Sequence, residues 1–239
     1  MIDIIYFDAF NGVSGDMILG SFVDSFVSFS YLQKEISKLG ISDVQIECKK
    51  VTKSSLRSTK ICIDFEHQHH HRDFSDIKKL IEKSTLDEKI KEDSIHIFKK
   101  LAEAEAKIHD KSIEDIKFHE VGAVDAIIDI VGAVISFHHL FPAKVLCSPI
   151  NVGSGMVEAA HGKLPVPAPA TLYLLKGVPI YSDNVQSELT TPTGAAIITH
   201  FAEDFVLLPK MEIIDVGYGA GEKDFDNVPN ILRLILGRD

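Results

Sequence analysis

Ile2-Asp-Ile-Ile-Tyr-Phe-Asp-Ala-Phe-Asn-Gly-Val-Ser-Gly-Asp16 runs an apolar segment straight into a glycine-bearing loop. Ile2 to Phe7 reads as a buried strand. Gly12 and Gly15 permit a tight turn, and Ser14 or Asp16 stands where a cap belongs for a helix spaced from Met17 to Phe29. A helix start offers free N–H groups to an anion. Asp8 and Asp16 are acidic, however, which suits a cation, or a phosphate bridged by one, better than a bare phosphate. No Gly-Lys-Ser/Thr follows, so this is not a Walker loop.

Strands and helices keep alternating beyond this unit. Tyr31 to Leu39 reads as a helix stopped by Gly40. Val44 to Val51 and Thr59 to Phe65 read as paired strands joined by the polar link Thr52 to Ser58. Helices are expected over Ile77 to Ser84 and Leu86 to His109, with His96 and His109 as surface residues. Lys144 to Cys147 reads as a strand, Ala170 to Lys176 as a short helix and Val178 to Tyr181 as a strand. Leu189-Thr-Thr-Pro-Thr-Gly194 opens a helix to Phe205, with Thr191 at the N-cap and Pro192 at N1. Met211 to Val216 and Asn230 to Leu236 close the chain as strands, with Gly217 to Gly221 as a flexible link. The fold class is α/β, with mixed sheets and helices packed on them. Residues 1–65 would form a small α/β subdomain, 66–73 a histidine-rich loop and 74–239 the main domain; a single continuous domain is the alternative.

The stretch Phe118-His-Glu-Val-Gly-Ala-Val-Asp-Ala-Ile-Ile-Asp129 organises the chemistry. Asp125 and Asp129 are four apart and share one face of a helix that runs on to Leu140. Carboxylates in so apolar a run are costly to desolvate unless they meet a cation, a donor or water. The bland reading is a helix start, with Asp125 favoured by the dipole and Asp129 exposed. His138 and His139 suit the negative end of that helix. The pattern is not His-Glu-x-x-His, so a zinc-protease reading fails.

Other stretches also carry ligand chemistry. His67, His69, His70 and His71 put four imidazoles into five positions, a composition that binds late first-row divalent ions, nickel among them. A solvated linker with incidental metal affinity is the plain alternative. Gly153 and Ser154, in the loop Asn151 to Gly155, would let backbone approach a ligand. Thr191 and Thr193 at a helix start are placed to hold a phosphate.

Composition bounds the function. The 239 residues suffice for one large domain or two small ones, and the net charge of -10 argues against a nucleic-acid surface. No apolar run reaches about 18 residues and no signal peptide is evident, so no membrane role is expected. Three scattered cysteines, Cys48, Cys62 and Cys147, fit a reducing cytoplasm.

Taken together, several stretches resemble one family. They are Tyr6-Phe-Asp-Ala-Phe-Asn-Gly-Val-Ser-Gly-Asp-Met17, the histidine tract, Leu101-Ala-Glu-Ala-Glu-Ala106, Phe118 to Asp125 and Asn151-Val-Gly-Ser-Gly155. Ala160-His-Gly-Lys-Leu-Pro-Val-Pro-Ala-Pro-Ala-Thr171, Glu188 to Gly194, Gly217-Tyr-Gly-Ala-Gly221 and Asn230-Ile-Leu-Arg-Leu-Ile-Leu-Gly237 complete the set. The family is that of the nickel-insertion proteins, which complete the nickel-pincer nucleotide cofactor of lactate racemase, and the resemblance covers nearly the whole chain. It implies a lyase-type nickel chelatase. A pyridinium bisthiocarboxylate mononucleotide takes up nickel through two sulfurs and one ring carbon, while CTP, with magnesium or manganese, goes to CMP and pyrophosphate.

The resemblance also implies partners. Members usually continue into a second part associated with CTP binding and oligomerisation, so catalysis is expected to need that C-terminal half, with the lactate racemase apoprotein downstream. Residue roles come from chemistry. A carbon–nickel bond requires loss of the ring C–H proton, so a base near the metal is expected. Glu120 is the expected base, with His119 and Asp125 beside it and with Asp8 and Asp16 as metal ligands. Two other classes compete: a nickel-binding delivery or storage protein working through the tract, and a metal-dependent phosphohydrolase built on Asp8 and Asp16.

Overall fold

The computed structural model describes residues 3–65, 72–118, 123–159, 162–183, 185–226 and 228–238. In chain order the elements are β1 (Ile4–Asp8), α1 (Gly15–Ser25), α2 (Phe29–Ser37), β2 (Val44–Lys53), β3 (Leu56–Phe65), α3 (Phe74–Lys83) and α4 (Glu88–His109). They continue with α5 (Val124–Leu140), β4 (Lys144–Cys147), β5 (Ile150–Asn151), β6 (Met156–Ala159), β7 (Gly162–Pro165), α6 (Pro169–Leu174) and β8 (Ile180–Tyr181). The last are α7 (Pro192–Phe201), β9 (Asp204–Phe205), β10 (Glu212–Ala220) and β11 (Ile231–Arg238).

A seven-stranded sheet in the order β2-β3-β10-β11-β1-β4-β9 carries the fold. It is mixed, as expected: β1 runs antiparallel to β11 and parallel to β4. Strands from either side of the histidine tract interleave in it. Alternation along β1 sends Ile5 and Phe7 to the helical face and Ile4 and Tyr6 to the other, where Leu146 and Ile235 join them. Both faces are covered, which is why this strand reads as an unbroken apolar run.

Helix α5 explains the long apolar run after Asp125. It touches α1, α2, α4 and α7, so it is buried nearly all round. Its Phe137 meets Phe7 of β1, Phe22 of α1 and Phe201 of α7, the last stacked at 3.8 Å between ring centroids. At its end His138 does not simply face the helix dipole. Its Nε2 lies 2.7 Å from one oxygen of Asp93, and His200 Nε2 lies 3.1 Å from the other, so one carboxylate ties α4, α5 and α7 together.

Several local expectations are corrected. The link between β2 and β3 is not seven polar residues: the strands pair as far as Lys53 and Leu56, and Ser54 and Ser55 turn the chain with φ of 44° and 72°. The first long helix breaks after Ser25, and Ser28 caps a second by accepting from the Tyr31 N–H at 3.3 Å. The helix opened at Pro192 stops at Phe201, and Asp204–Phe205 adds a short edge strand beside β4. Gly217 to Ala220 is not a flexible link but the inner half of β10. A Cβ at Gly219 would sit 1.8 Å from the Met17 carbonyl, so glycine is there because α1 lies directly on the strand.

Asp24 locks α1 to the sheet. It accepts from Lys50 Nζ at 2.6 Å, from the Thr59 hydroxyl and from the Tyr218 N–H at 3.0 Å. Burial alone would raise its pKa, but those three donors and the Lys50 charge outweigh it and hold the carboxyl below its usual range. A depressed folded-state pKa contributes stability above the unfolded value, near 3.9, that is lost as pH falls through the folded value. Asp24→Asn is therefore expected to cost about 1–3 kcal/mol at neutral pH, with the gap to wild type closing on acidification. Urea titrations at pH 7 and pH 3 measure it; an equal gap at both pH values would contradict the assignment.

Candidate functional site

Five chain segments meet around a cavity of about 620 Å³. They are the loop entering α1, the first turns of α5, the loop before α7 with its first turn, the part of β3 from Lys60 to Ile63, and Glu222 just after β10. The convergence has a local cause. Gly12, at φ +80°, lies where a Cβ would be 2.1 Å from the Leu189 carbonyl, and the Thr191 N–H donates to the Val13 carbonyl at 3.0 Å. The loop after β1 is thereby clamped to the loop before α7. On the far side, β3 pairs with β10 only at Thr59, so its next residues diverge and open the cavity wall.

The floor is acidic. Asp16 stands in the first turn of α1, where Oδ1 accepts from the Ser14 hydroxyl and from the Met17 N–H at 2.9 Å. Ser14 occupies the N-cap but spends its hydroxyl on Asp16 rather than on a backbone N–H. Asp129 lies one turn beyond Asp125, and a Cβ on Gly15 would fall 2.4 Å from its Oδ2, so α1 begins directly against this carboxyl. Asp129 Oδ1 is fully shielded and has no hydrogen-bond partner among the described residues. Burial, and then the charges of Asp16 and Asp125, push its pKa well above the usual carboxylate range. Burial also raises that of Asp16, although Ser14, Met17 and Lys60 oppose the shift. Asp125 stands at the exposed rim.

Of the residues singled out from sequence, Asp16, Asp125, Thr191 and Thr193 line this one cavity. Asp8 does not; its Oδ2 accepts from Arg233 Nε at 3.0 Å and also from a terminal guanidinium nitrogen. Gly153 and Ser154 brace the neighbouring loop: the Gly153 N–H donates to Asn151 Oδ1 at 3.1 Å, and Ser154 Oγ donates to the Val185 carbonyl at 2.9 Å. His119, Glu120, His67, His69, His70 and His71 lie outside the described residues. Among the described residues, no group of three or more His, Cys, Asp or Glu side chains is disposed to hold a metal ion.

The bland reading of the sequence would expose Asp129, whereas its Oδ1 is shielded, and sequence reasoning passed over Lys60, Cys62, Glu188 and Glu222, which also line the cavity. The signal for Asp129 was its spacing from Asp125; nothing local marked Lys60. Thr191 caps α7 by accepting from the Gly194 N–H at 3.1 Å. Thr191→Ala is expected to cost about 1 kcal/mol in thermal or urea unfolding. If its hydroxyl also serves a phosphate, nucleotide affinity falls too; unchanged affinity leaves it the cap alone.

Comparison with known proteins adds to this geometry. The family model described as nickel insertion protein matches residues 5–239. A relative in Desulfitobacterium hafniense (strain DSM 10664 / DCB-2) is 53% identical over 232 residues, 97% of this chain and 58% of its own length. It is named pyridinium-3,5-bisthiocarboxylic acid mononucleotide nickel insertion protein. Putative nickel insertion proteins of Wolinella succinogenes and Geotalea uraniireducens (strain Rf4) are 48% and 44% identical, each over 98% of this chain and 60% of their own length. The chain thus spans well under two thirds of the curated relatives it matches. No solved structure matches it. With the family model covering all but the first four residues, the chain belongs to the nickel insertion protein family.

Proposed function

We propose that this chain takes part in CTP-dependent nickel insertion into pyridinium-3,5-bisthiocarboxylic acid mononucleotide, as a lyase-type nickel chelatase. The cavity between α1, α5 and α7 is where nickel and nucleotide meet. The observation that carries this reading is the Asp16–Asp129 pair: two carboxyls in a ligand-sized cavity, one with a shielded oxygen that has no partner among the described residues.

The chemistry follows from that environment. Nickel and the pyridinium ring both bring positive charge, which an acidic cavity attracts. The ring C–H bond breaks heterolytically, its electron pair forms the carbon–nickel bond, and the proton needs an acceptor. In its ionised form a carboxylate whose pKa burial has raised is a strong base for its type, and the positive charge of the entering nickel and ring favours that form, its resident proton passing to solvent before the ring proton is taken. Asp125 at the rim is placed to guide the cation inward. Glu120 and His119, just before α5 in sequence, remain alternative acceptors. Thr193, with the amides that open α7, is the proposed phosphate contact, and Gly153 and Ser154 support the loop beside it.

The finer assignments belong to the same proposal. CTP, with magnesium or manganese, is assigned to a further part of the kind that the longer relatives carry. The histidine tract gathers nickel, and the lactate racemase apoprotein receives the product. The test mixes this chain with such a part, nickel, CTP and the thiolated nucleotide and follows product by its optical spectrum. Nickel bound at the tract without any product would favour the delivery or storage role instead.

A further inference from the structure

The ligand in the reading above carries a phosphate and two thiocarboxylates, all anionic, yet the cavity is acidic. Asp16, Asp125, Asp129, Glu188 and Glu222 all line it. Among the described lining residues Lys60 is the one cationic side chain.

Lys60 is largely covered, at 15% side-chain exposure, and its ammonium is paired with Glu222, whose side chain is 83% exposed. The pairing is asymmetric. Glu222 turns into water readily, because its carboxylate is already mostly solvated. Lys60, mostly covered, has far less room to move. The backbone beneath Glu222 stays put as well: Lys53 Nζ donates to the carbonyls of Glu222 and Lys223 at 3.2 Å each, and the Gly221 N–H donates to the Asn230 carbonyl at 3.0 Å. Only one side chain therefore has to move to free a buried cation inside the cavity. Lys60 also reaches Asp16 electrostatically, so it stands within range of the acidic floor.

We propose that Lys60 anchors an anionic group of the pyridinium nucleotide and that Glu222 is its resident counter-ion, displaced when the nucleotide enters. This rests on the reading of the cavity as the substrate site. The anchored group is either the phosphate or a ring thiocarboxylate, and the ammonium treats both alike.

Calorimetry with the thiolated mononucleotide in the absence of nickel tests the exchange. Lys60→Met is expected to weaken binding at least about 10-fold, Lys60→Arg to stay within a few-fold of wild type, and Glu222→Gln to bind several-fold tighter because the competitor is gone. Thermal melting of each variant confirms that it is folded. Two fragments identify the group: if the dephosphorylated nucleoside keeps its sensitivity to Lys60→Met, the thiocarboxylate is anchored; if nicotinamide mononucleotide keeps it, the phosphate is. Binding to folded Lys60→Met at wild-type affinity overturns the anchor while leaving the cavity assignment intact. No binding to the wild-type chain overturns both.

Discussion

Asp129→Asn is expected to lower nickel insertion at least about 10²-fold and to leave the protein no less stable at neutral pH. The two halves of this result have one cause. Burial, and then the charges of Asp16 and Asp125, raise the pKa of Asp129 well above the usual carboxylate range. Its folded-state pKa lies above the unfolded value near 3.9, so its contribution to stability is full below that value and is lost as pH rises through the folded one. Asparagine has nearly the same shape but no such dependence, so the variant gains relative to wild type as pH rises. It also has no basic oxygen, so the ring proton loses its acceptor. Product formation by optical spectrum and urea titrations at pH 4 and pH 7 measure both halves. A rate within about 3-fold of wild type would remove Asp129 from the chemistry. The companion variant Glu120→Gln then decides where the proton goes: if it is the one that is inactive, the base lies just before α5 rather than in the cavity floor.

Phe137→Ala should cost about 3–5 kcal/mol, enough to unfold a marginal domain. The ring is 2% exposed and joins α5 to β1, α1 and α7 through Phe7, Phe22 and Phe201. Its removal forfeits burial and leaves a hole bounded by other rings, which cannot close over it without moving β1. Phe141, four residues on and 78% exposed, is the control: its change to alanine should stay within about 0.5 kcal/mol. Urea unfolding of both variants settles the comparison, and a loss under about 1 kcal/mol at Phe137 would show that the aromatic cluster relaxes freely.

Much of this was legible in residue patterns. The opening strand, its glycine loop and the following helix are where the apolar run and the small residues put them. Thr191 and Pro192 mark the start of α7 as capping rules require. Asp16, Asp125 and Thr191 were each readable as the start of a helix. That they face one another was not, because their meeting depends on strand order and on the clamp between Gly12 and Leu189. The place of Asp129 stayed open for a related reason: spacing puts it on the same face as Asp125, but only the packing of α5 against four other helices shows that its carboxyl is shielded one helical turn further on. Gly217 and Gly219 were read as slack because glycine serves both looseness and close contact, and sequence alone does not separate the two.

The order of strands in the sheet has a kinetic consequence. Among the described strands β1 is synthesised earliest, and its antiparallel neighbour β11 latest. At about 5–20 residues per second, Ile4 to Phe7 must wait roughly 10–50 s on the ribosome before Leu234 to Gly237 emerge to pair with them. Until then one edge of the future centre of the sheet stays unpaired and apolar. The β1–β11 seam closes only after β11 clears the exit tunnel, so for that interval the nascent segment relies on slow aggregation or on a holding chaperone.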